Sequence, residues 1–145
     1  MMLSGNDRRM KALIAFNGSP EAHRAVDWVA QSGSFSDATV LGVGPDSARR
    51  RGRRRRGRYF SSRPGWAFPD ELQQAVDQLT SAGLTATSVD ESGNVVKAIV
   101  DAAAKGDFDV VVVGSRRRHG IWRTLFGSTA ERIVRQAPIN VVIVR

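Results

Sequence analysis

Four consecutive valines open the segment VVVVGSRRRHGIWRTLFGSTAERIV, which occupies residues 110–134. An unbroken valine run is typical of a strand buried on both faces, as in parallel sheets with helices on both sides. The run stops at Gly114, and a second glycine, Gly127, stands with Ser128 just before a helical pattern. The segment predicts a central parallel strand, a long loop and a helix. It also raises a question: that loop either holds a phosphate or only joins the strand to the helix.

Strand-like and helix-like segments alternate along the whole chain. Apolar runs of strand length occur at residues 11–16, 38–43, 84–89, 109–113 and 140–144. Apolar residues at helical spacing predict four helices between them, at residues 20–31, 69–83, 95–106 and from 128 onward. This order predicts an α/β fold, a doubly wound open five-stranded parallel sheet of Rossmann-like type with strand order 3-2-1-4-5.

Two of the predicted helices begin with capping signals. Ser19 can cap the first helix, and Pro20 suits its first position. Ser128 and Glu131 have the spacing of a capping box, in which each side chain accepts a hydrogen bond from the other residue's backbone. The fourth helix is therefore predicted to start at a self-capping serine.

The composition is that of an ordinary folded chain. With 145 residues and 41% hydrophobic residues, we expect a single domain over residues 1–145. The absence of cysteine excludes disulfides, thiolate metal sites and thiol catalysis. The first ten residues lack the apolar stretch of a signal peptide, and no apolar run has the length of a membrane span. These features predict a cytoplasmic protein without a membrane partner.

One segment carries the excess positive charge. Nine arginines and no acid lie in residues 49–63, inside a stretch without apolar period, residues 44–68, that is predicted to be a basic loop insert. Of the 22 basic residues nine lie there, so the rest of the chain has 13 against 14 acidic residues. Outside the insert the protein is therefore nearly neutral.

Two hypotheses fit this insert. Arginine and glycine beside Tyr59, Phe60 and Trp66 form a composition that contacts RNA or single strands by charge and stacking. Alternatively the insert is a variable loop whose charge gives only weak, nonspecific, salt-sensitive attraction to nucleic acid. The second hypothesis is favoured, because nothing else in the chain resembles a nucleic-acid module.

The predicted strand order also predicts where a ligand would bind. In doubly wound sheets that place is a crevice at the carboxyl ends of the strands where the order reverses, here between the first and fourth strands. Its rim would be formed by residues 17–19 and 114–115. Backbone N–H groups of Gly127, Ser128 and Thr129, at the positive end of the fourth helix, form a potential anion site. Every doubly wound fold has such a helix start, so an anion site and a self-capped helix both remain open.

Other catalytic and binding motifs are absent from the sequence. There is no G-x-x-x-x-G-K-[ST] phosphate loop and no G-x-S-x-G nucleophile elbow. His23 and His119 have no metal-ligand partners spaced near them, so no metal site is predicted. No residue stands out as an activated base or nucleophile, and we expect no efficient catalysis.

The chain resembles the universal stress proteins over nearly its whole length except the insert. The stretches KALIAFNGSPEAHRAVDWVA, at residues 11–30, and GNVVKAIVDAAAKGDFDVVVVGS, at residues 93–115, carry the resemblance together with the AP pair before the last strand. Nucleotide-binding members have the pattern G-x2-G-x9-G-[ST], which Gly114, Gly127 and Ser128 match at the correct spacing.

The resemblance implies an adenine nucleotide alpha hydrolase-like fold that binds ATP or AMP, with or without Mg²⁺, in the predicted crevice. It places the adenine at the end of the second strand, the ribose at the end of the first, and the phosphates on the loop and helix start. The implied binding residues are Ala15, Asn17, Val43, Gly114, Ser115, Arg116, Arg117, Gly120, Gly127, Ser128 and Thr129.

Two of these residues depart from the family pattern. Asn17 stands where the family usually has aspartate, and an amide accepts weakly from ribose hydroxyls and supports a metal ion less well than a carboxylate. Arg117 stands at the middle glycine of the pattern, and two effects could oppose binding there: its Cβ could crowd the phosphates, or its backbone could fail to adopt a positive φ. Against this, positive charge near the predicted phosphates is added by Arg116, Arg117, Arg118 and Arg123.

The resemblance therefore implies a nucleotide-binding stress-response regulator that forms a homodimer through residues 140–144. Two alternatives remain open at this point. One is a family member that has lost the nucleotide and acts through protein contacts. The other is a nucleic-acid-associated protein that uses the insert at residues 49–63.

Overall fold

The computed structural model describes residues 8–44, 69–115 and 127–145. Five strands and four helices alternate within these ranges: β1 (Met10–Phe16), α1 (Pro20–Ser32), β2 (Phe35–Gly44), α2 (Pro69–Ser81), β3 (Thr85–Ser92), α3 (Val95–Lys105), β4 (Val110–Gly114), α4 (Gly127–Gln136) and β5 (Asn140–Val144). The basic insert lies outside the described residues, apart from Gly44 at its root.

The five strands form one sheet in the order β3-β2-β1-β4-β5. Every neighbouring pair is parallel. The predicted doubly wound fold and its strand order are therefore confirmed. The order reverses between β1 and β4, because the chain builds β2 and β3 on one side of β1 and then crosses to build β4 and β5 on the other.

Helices cover both faces of the sheet, and each face has its own core. On the first face α1 and α2 pack against the sheet, in a core that includes Ile14, Val26, Val40, Leu79 and Val112. On the second face α3 and α4 do the same, in a core that includes Leu13, Leu41, Ile99, Val111 and Ile133. Because side chains alternate along a strand, neighbouring residues of each central strand enter opposite cores.

The valine run of β4 shows this alternation in four successive residues. Val110 and Val112 lie in the first core, and Val111 and Val113 lie in the second. All four are buried, which confirms the prediction of a strand covered on both sides. At about 1.5–3 kcal/mol for each fully buried valine, this short strand contributes strongly to the hydrophobic stabilisation of both layers.

Two strands are longer than the sequence predicts. β2 begins at Phe35 instead of residue 38, because Phe35 is buried and packs edge-on against Trp28 of α1. The sequence pattern does not indicate this start, because two polar residues, Ser36 and Asp37, separate Phe35 from the apolar run. β3 runs on to Ser92 because its pairing with β2 continues to the Gly44–Ser92 pair. β3 is mostly exposed, as expected for the less buried strand.

The predicted cap of α1 is confirmed, and the predicted capping box of α4 stays a prediction. The Ser19 side chain caps α1 by accepting a hydrogen bond from the Ala22 backbone N–H at 3.2 Å. α4 begins at Gly127, one residue before the predicted capping serine, and the side-chain contacts of Ser128 lie outside what the structure describes. The Glu131 carboxylate accepts a hydrogen bond from Arg135, one turn onward, at 2.7 Å.

Within the described ranges the model contains no helix that is both long enough and apolar enough to cross a membrane.

Candidate functional site

The sheet splits at the carboxyl ends of β1 and β4. Their mutual pairing ends at Ile14 and Val112, although each strand continues for two more residues. Over those residues β1 stays paired with β2, up to the pair Phe16–Gly42, and β4 stays paired with β5, up to Gly114–Val144. The gap therefore opens where the strand order reverses, which is the position predicted for a ligand crevice.

On the first face this gap is closed by the start of α1. A Cβ added at Gly114 would overlap the backbone carbonyl of Glu21 and come within 2.9 Å of the Glu21 Cβ. Beside it, the Phe16 ring is buried and meets the His23 ring edge-on, with centroids 5.1 Å apart. Gly114 is therefore required by the packing of α1 on β4, independently of any ligand.

On the second face the gap is more open. Ala15 is half-buried there, although Leu13 before it on the same face is 1% exposed. Val43, at the end of the neighbouring β2, is buried in the same core. Ala130 in the first turn of α4 also belongs to this core, so the helix start lies on the open face, and Thr129 is exposed. The structure thus brings the described ends of β1, β2 and β4 together with the positive end of α4.

Asn17 shapes the turn that follows β1. Its side-chain oxygen accepts a hydrogen bond from the Ser19 backbone N–H at 3.0 Å, and Gly18 between them has a positive φ of 77°. One lone pair of the amide oxygen is therefore used in the turn, and the second can still accept a hydrogen bond. The side-chain NH₂ group is a donor that Asn17 adds and that an aspartate would lack.

Ser115 is the anchored first residue after β4. It is 1% exposed, and its N–H donates to the Val144 carbonyl of β5 at 2.8 Å. Its own carbonyl accepts a hydrogen bond from the guanidinium of Arg24 in α1 at 3.2 Å. Sequence reasoning missed Arg24, because its only signal is a position next to the buried Ala25 on the apolar face of α1.

The described residues do not form a metal centre. They contain no group of three or more histidine, aspartate, glutamate or cysteine side chains placed to hold a metal ion. The engaged amide of Asn17 adds no carboxylate at the rim.

Several predicted site residues lie outside the part of the chain that the structure describes, namely Arg116, Arg117 and Gly120, and with them His119. For Gly127 and Ser128 only the helical backbone is described. Their proposed contacts with phosphate remain predictions from the sequence.

The split sheet and the helix start beside it define the class of this protein: a doubly wound α/β protein with a candidate ligand crevice at its topological switch point. The universal stress protein family model matches residues 9–145. The chain therefore belongs to the universal stress protein family, as the resemblance implied.

Solved structures with the same fold include three informative relatives. A universal stress protein from Archaeoglobus fulgidus is 18% identical over 95% of this chain and 100% of that chain, with a TM-score of 0.68. A universal stress protein in complex with cAMP is 22% identical over 94% and 96%, with a TM-score of 0.66. A family protein from Arabidopsis thaliana with AMP bound is 18% identical over 93% and 90%, with a TM-score of 0.66. A search of curated proteins found no match.

Proposed function

We propose that this protein binds an adenine nucleotide, AMP or ATP, in the crevice between the carboxyl ends of β1 and β4. In this proposal it acts as a stress-response regulator in the cytoplasm and not as an efficient enzyme. The observation that carries the proposal is the early end of the β1–β4 pairing, which opens the sheet beside the start of α4. Family membership and the relatives with AMP or cAMP bound support the choice of an adenine nucleotide.

The open face supplies groups suited to each part of a nucleotide. The end of β2 at Val43 combines a buried side chain with backbone groups that can pair with adenine. Half-buried Ala15 leaves room for a ribose, and the Asn17 NH₂ group can donate to a ribose oxygen. The N–H groups at residues 127–129 are not used within α4 and suit a phosphate.

The proposal does not need a metal ion held by the protein. At the end of β1 the chain offers the amide of Asn17 where the family resemblance would place a carboxylate, and Mg²⁺ is held less well by an amide. We therefore expect AMP to bind with the same affinity in the presence of Mg²⁺ and of a chelator. A strong dependence of AMP affinity on Mg²⁺ would contradict this part of the proposal.

The absence of efficient catalysis is also a proposal. Ser19 has its hydroxyl oxygen engaged in capping α1, and Asn17 has its amide oxygen engaged in the turn. Neither residue is arranged as a base or nucleophile beside the crevice. We expect any ATP hydrolysis by the purified chain to be slow, and a turnover typical of ATPases would contradict this.

A homodimer through β5 fits the topology of the sheet. β5 is an outer strand, and Val141, Val142, Ile143 and Val144 are only half-buried, so an apolar edge strand remains available for pairing. A two-fold axis would pair this strand with the same strand of a second copy, so each substitution would occur twice in the interface.

Val142→Lys should then give monomers or insoluble protein. Sedimentation of the wild-type chain as a monomer at tens of micromolar would overturn the dimer.

The experiment that tests the main proposal is to purify the protein, denature it, and identify released small molecules by mass spectrometry. We expect AMP or ATP. The ligand-free protein should then bind added AMP in calorimetry. If no nucleotide is released and added AMP and ATP do not bind, the proposal is overturned in favour of a family member that acts through protein contacts.

A further inference from the structure

Arg24 lies at the junction between α1 and the end of β4. Its guanidinium donates to the backbone carbonyl of Ser115, a residue that is 1% exposed. Its Nε is also buried, and none of the described residues accepts a hydrogen bond from it. Among the described residues Arg24 forms no ion pair. The hydrogen bond to the Ser115 carbonyl is its described polar contact.

Three contacts hold the end of β4 in place from different directions. Gly114 packs directly against the Glu21 backbone of α1, and Arg24 holds the next carbonyl from the same helix. On the other side, the Ser115 N–H is bonded to Val144 of β5. The two peptide groups that flank Ser115 are therefore held by different elements, one by β5 through its N–H and the other by α1 through its carbonyl.

This arrangement is costly by the usual standards of stability. A buried guanidinium nitrogen without an acceptor loses hydration and regains nothing. A charge-assisted hydrogen bond to a carbonyl is, however, stronger and more directional than a neutral one. An arginine at this position fixes the orientation of the Ser115 carbonyl through a hydrogen bond. An apolar side chain packed in its place could not form this bond.

We propose that Arg24 is a positioning residue for the nucleotide site, because it fixes the direction in which the chain leaves β4 at Ser115. This inference rests on the proposed function and adds a residue outside the glycine motif. Arg24 acts through the Ser115 carbonyl and not by touching the nucleotide. Its effect on binding should therefore be insensitive to salt, because long-range charge attraction is screened and a fixed backbone position is not.

The test compares three variants with a matched control. Arg24→Met removes the donor and the charge, while Arg24→Lys keeps both, with a slightly shorter reach. Arg24→Gln stops short of the Ser115 carbonyl and serves as the second test if the methionine variant does not fold. Arg9→Met, at the exposed amino end of β1, removes one positive charge far from the site. For each, AMP affinity is measured by calorimetry at low and high salt, and exchange of the Ser115 amide is measured by NMR without ligand.

We expect Arg24→Met to weaken AMP binding about tenfold or more at both salt concentrations, because a misplacement of about 1 Å at a site can cost a hundredfold. Arg24→Lys should recover affinity to within about threefold of wild type, and Arg9→Met should leave it unchanged. The Ser115 amide should exchange faster in Arg24→Met than in Arg9→Met. That result supports the hold on Ser115 even without nucleotide.

Three results would overturn the inference. They are wild-type AMP affinity in Arg24→Met, a loss of affinity that disappears at high salt, and unchanged exchange at Ser115. If the wild-type chain itself does not bind AMP, the proposed function is overturned and the role of Arg24 in binding falls with it. The exchange measurement then decides separately whether Arg24 holds Ser115.

Discussion

The two faces of the sheet differ sharply at the same point, where β1 and β4 part. On the first face the start of α1 fills the gap so tightly that Gly114 has no room for a Cβ. On the second face Ala15 is half-buried, and the start of α4 lies beside it. The difference teaches that one glycine motif can serve two purposes. Gly114 is needed for packing on the closed face, and Gly127 begins the helix on the open face.

The largest expected effect follows from the closed face. Gly114→Ala should lower the free energy of unfolding by about 3 kcal/mol, because overpacking against rigid backbone costs about that much. Urea denaturation measures it. Gly33→Ala is the control without steric overlap, because no atom lies within 4 Å of a Cβ added at Gly33, although its backbone, unlike that of Gly114, has a positive φ of 69°. It should cost only about 1 kcal/mol, for its left-handed backbone. Equal losses in the two variants would contradict the packing account.

The open face gives the next largest effect. Gly127→Val should weaken AMP binding more than tenfold, or roughly 1.4 kcal/mol, because its side chain obstructs the approach of phosphate to the helix start. Its stability should resemble that of Ala104→Val, a control at an exposed position of α3. Calorimetry measures the affinity, and thermal melting measures the stability. Unchanged AMP affinity in Gly127→Val would contradict the proposal that the phosphate binds at the start of α4.

A smaller effect is expected at Arg117, which occupies the middle glycine position of the motif. Arg117→Gly should keep or improve AMP affinity if the arginine side chain crowds the phosphates. Calorimetry of AMP and ATP side by side is the measurement. A loss of affinity, larger for ATP than for AMP, would show instead that the arginine contributes its charge to the phosphates.

The smallest effect on stability is expected in the basic insert. Replacing residues 49–63 by a short glycine–serine linker should leave the melting temperature nearly unchanged, because the insert has no apolar period to bury. The same change should abolish any binding to RNA or heparin seen at low salt. Sequence-selective RNA binding by the wild type that survives physiological salt would instead favour a nucleic-acid-associated function.

The strand order and the place of the crevice could be predicted from the sequence, because both depend on local patterns and on general rules of chain connection. The valine run alone indicated a strand buried on both faces. What could not be predicted depends on contacts between distant residues. Position 114 needs glycine because the backbone of Glu21, 93 positions earlier in the chain, packs directly against it. The role of Arg24 depends on its hydrogen bond to the Ser115 carbonyl, which the sequence alone does not indicate.

The most direct test of the central claim is titration of the ¹⁵N-labelled protein with AMP, followed by NMR. Ala15, Ser115 and Thr129 should show the largest amide shifts, because Ala15 and Thr129 lie on the open face of the gap and Ser115 directly follows the end of β4. Val89 in the exposed strand β3 should stay unchanged. A nucleotide that shifts β3 or the amino ends of the strands, and leaves these three amides unmoved, would contradict the account.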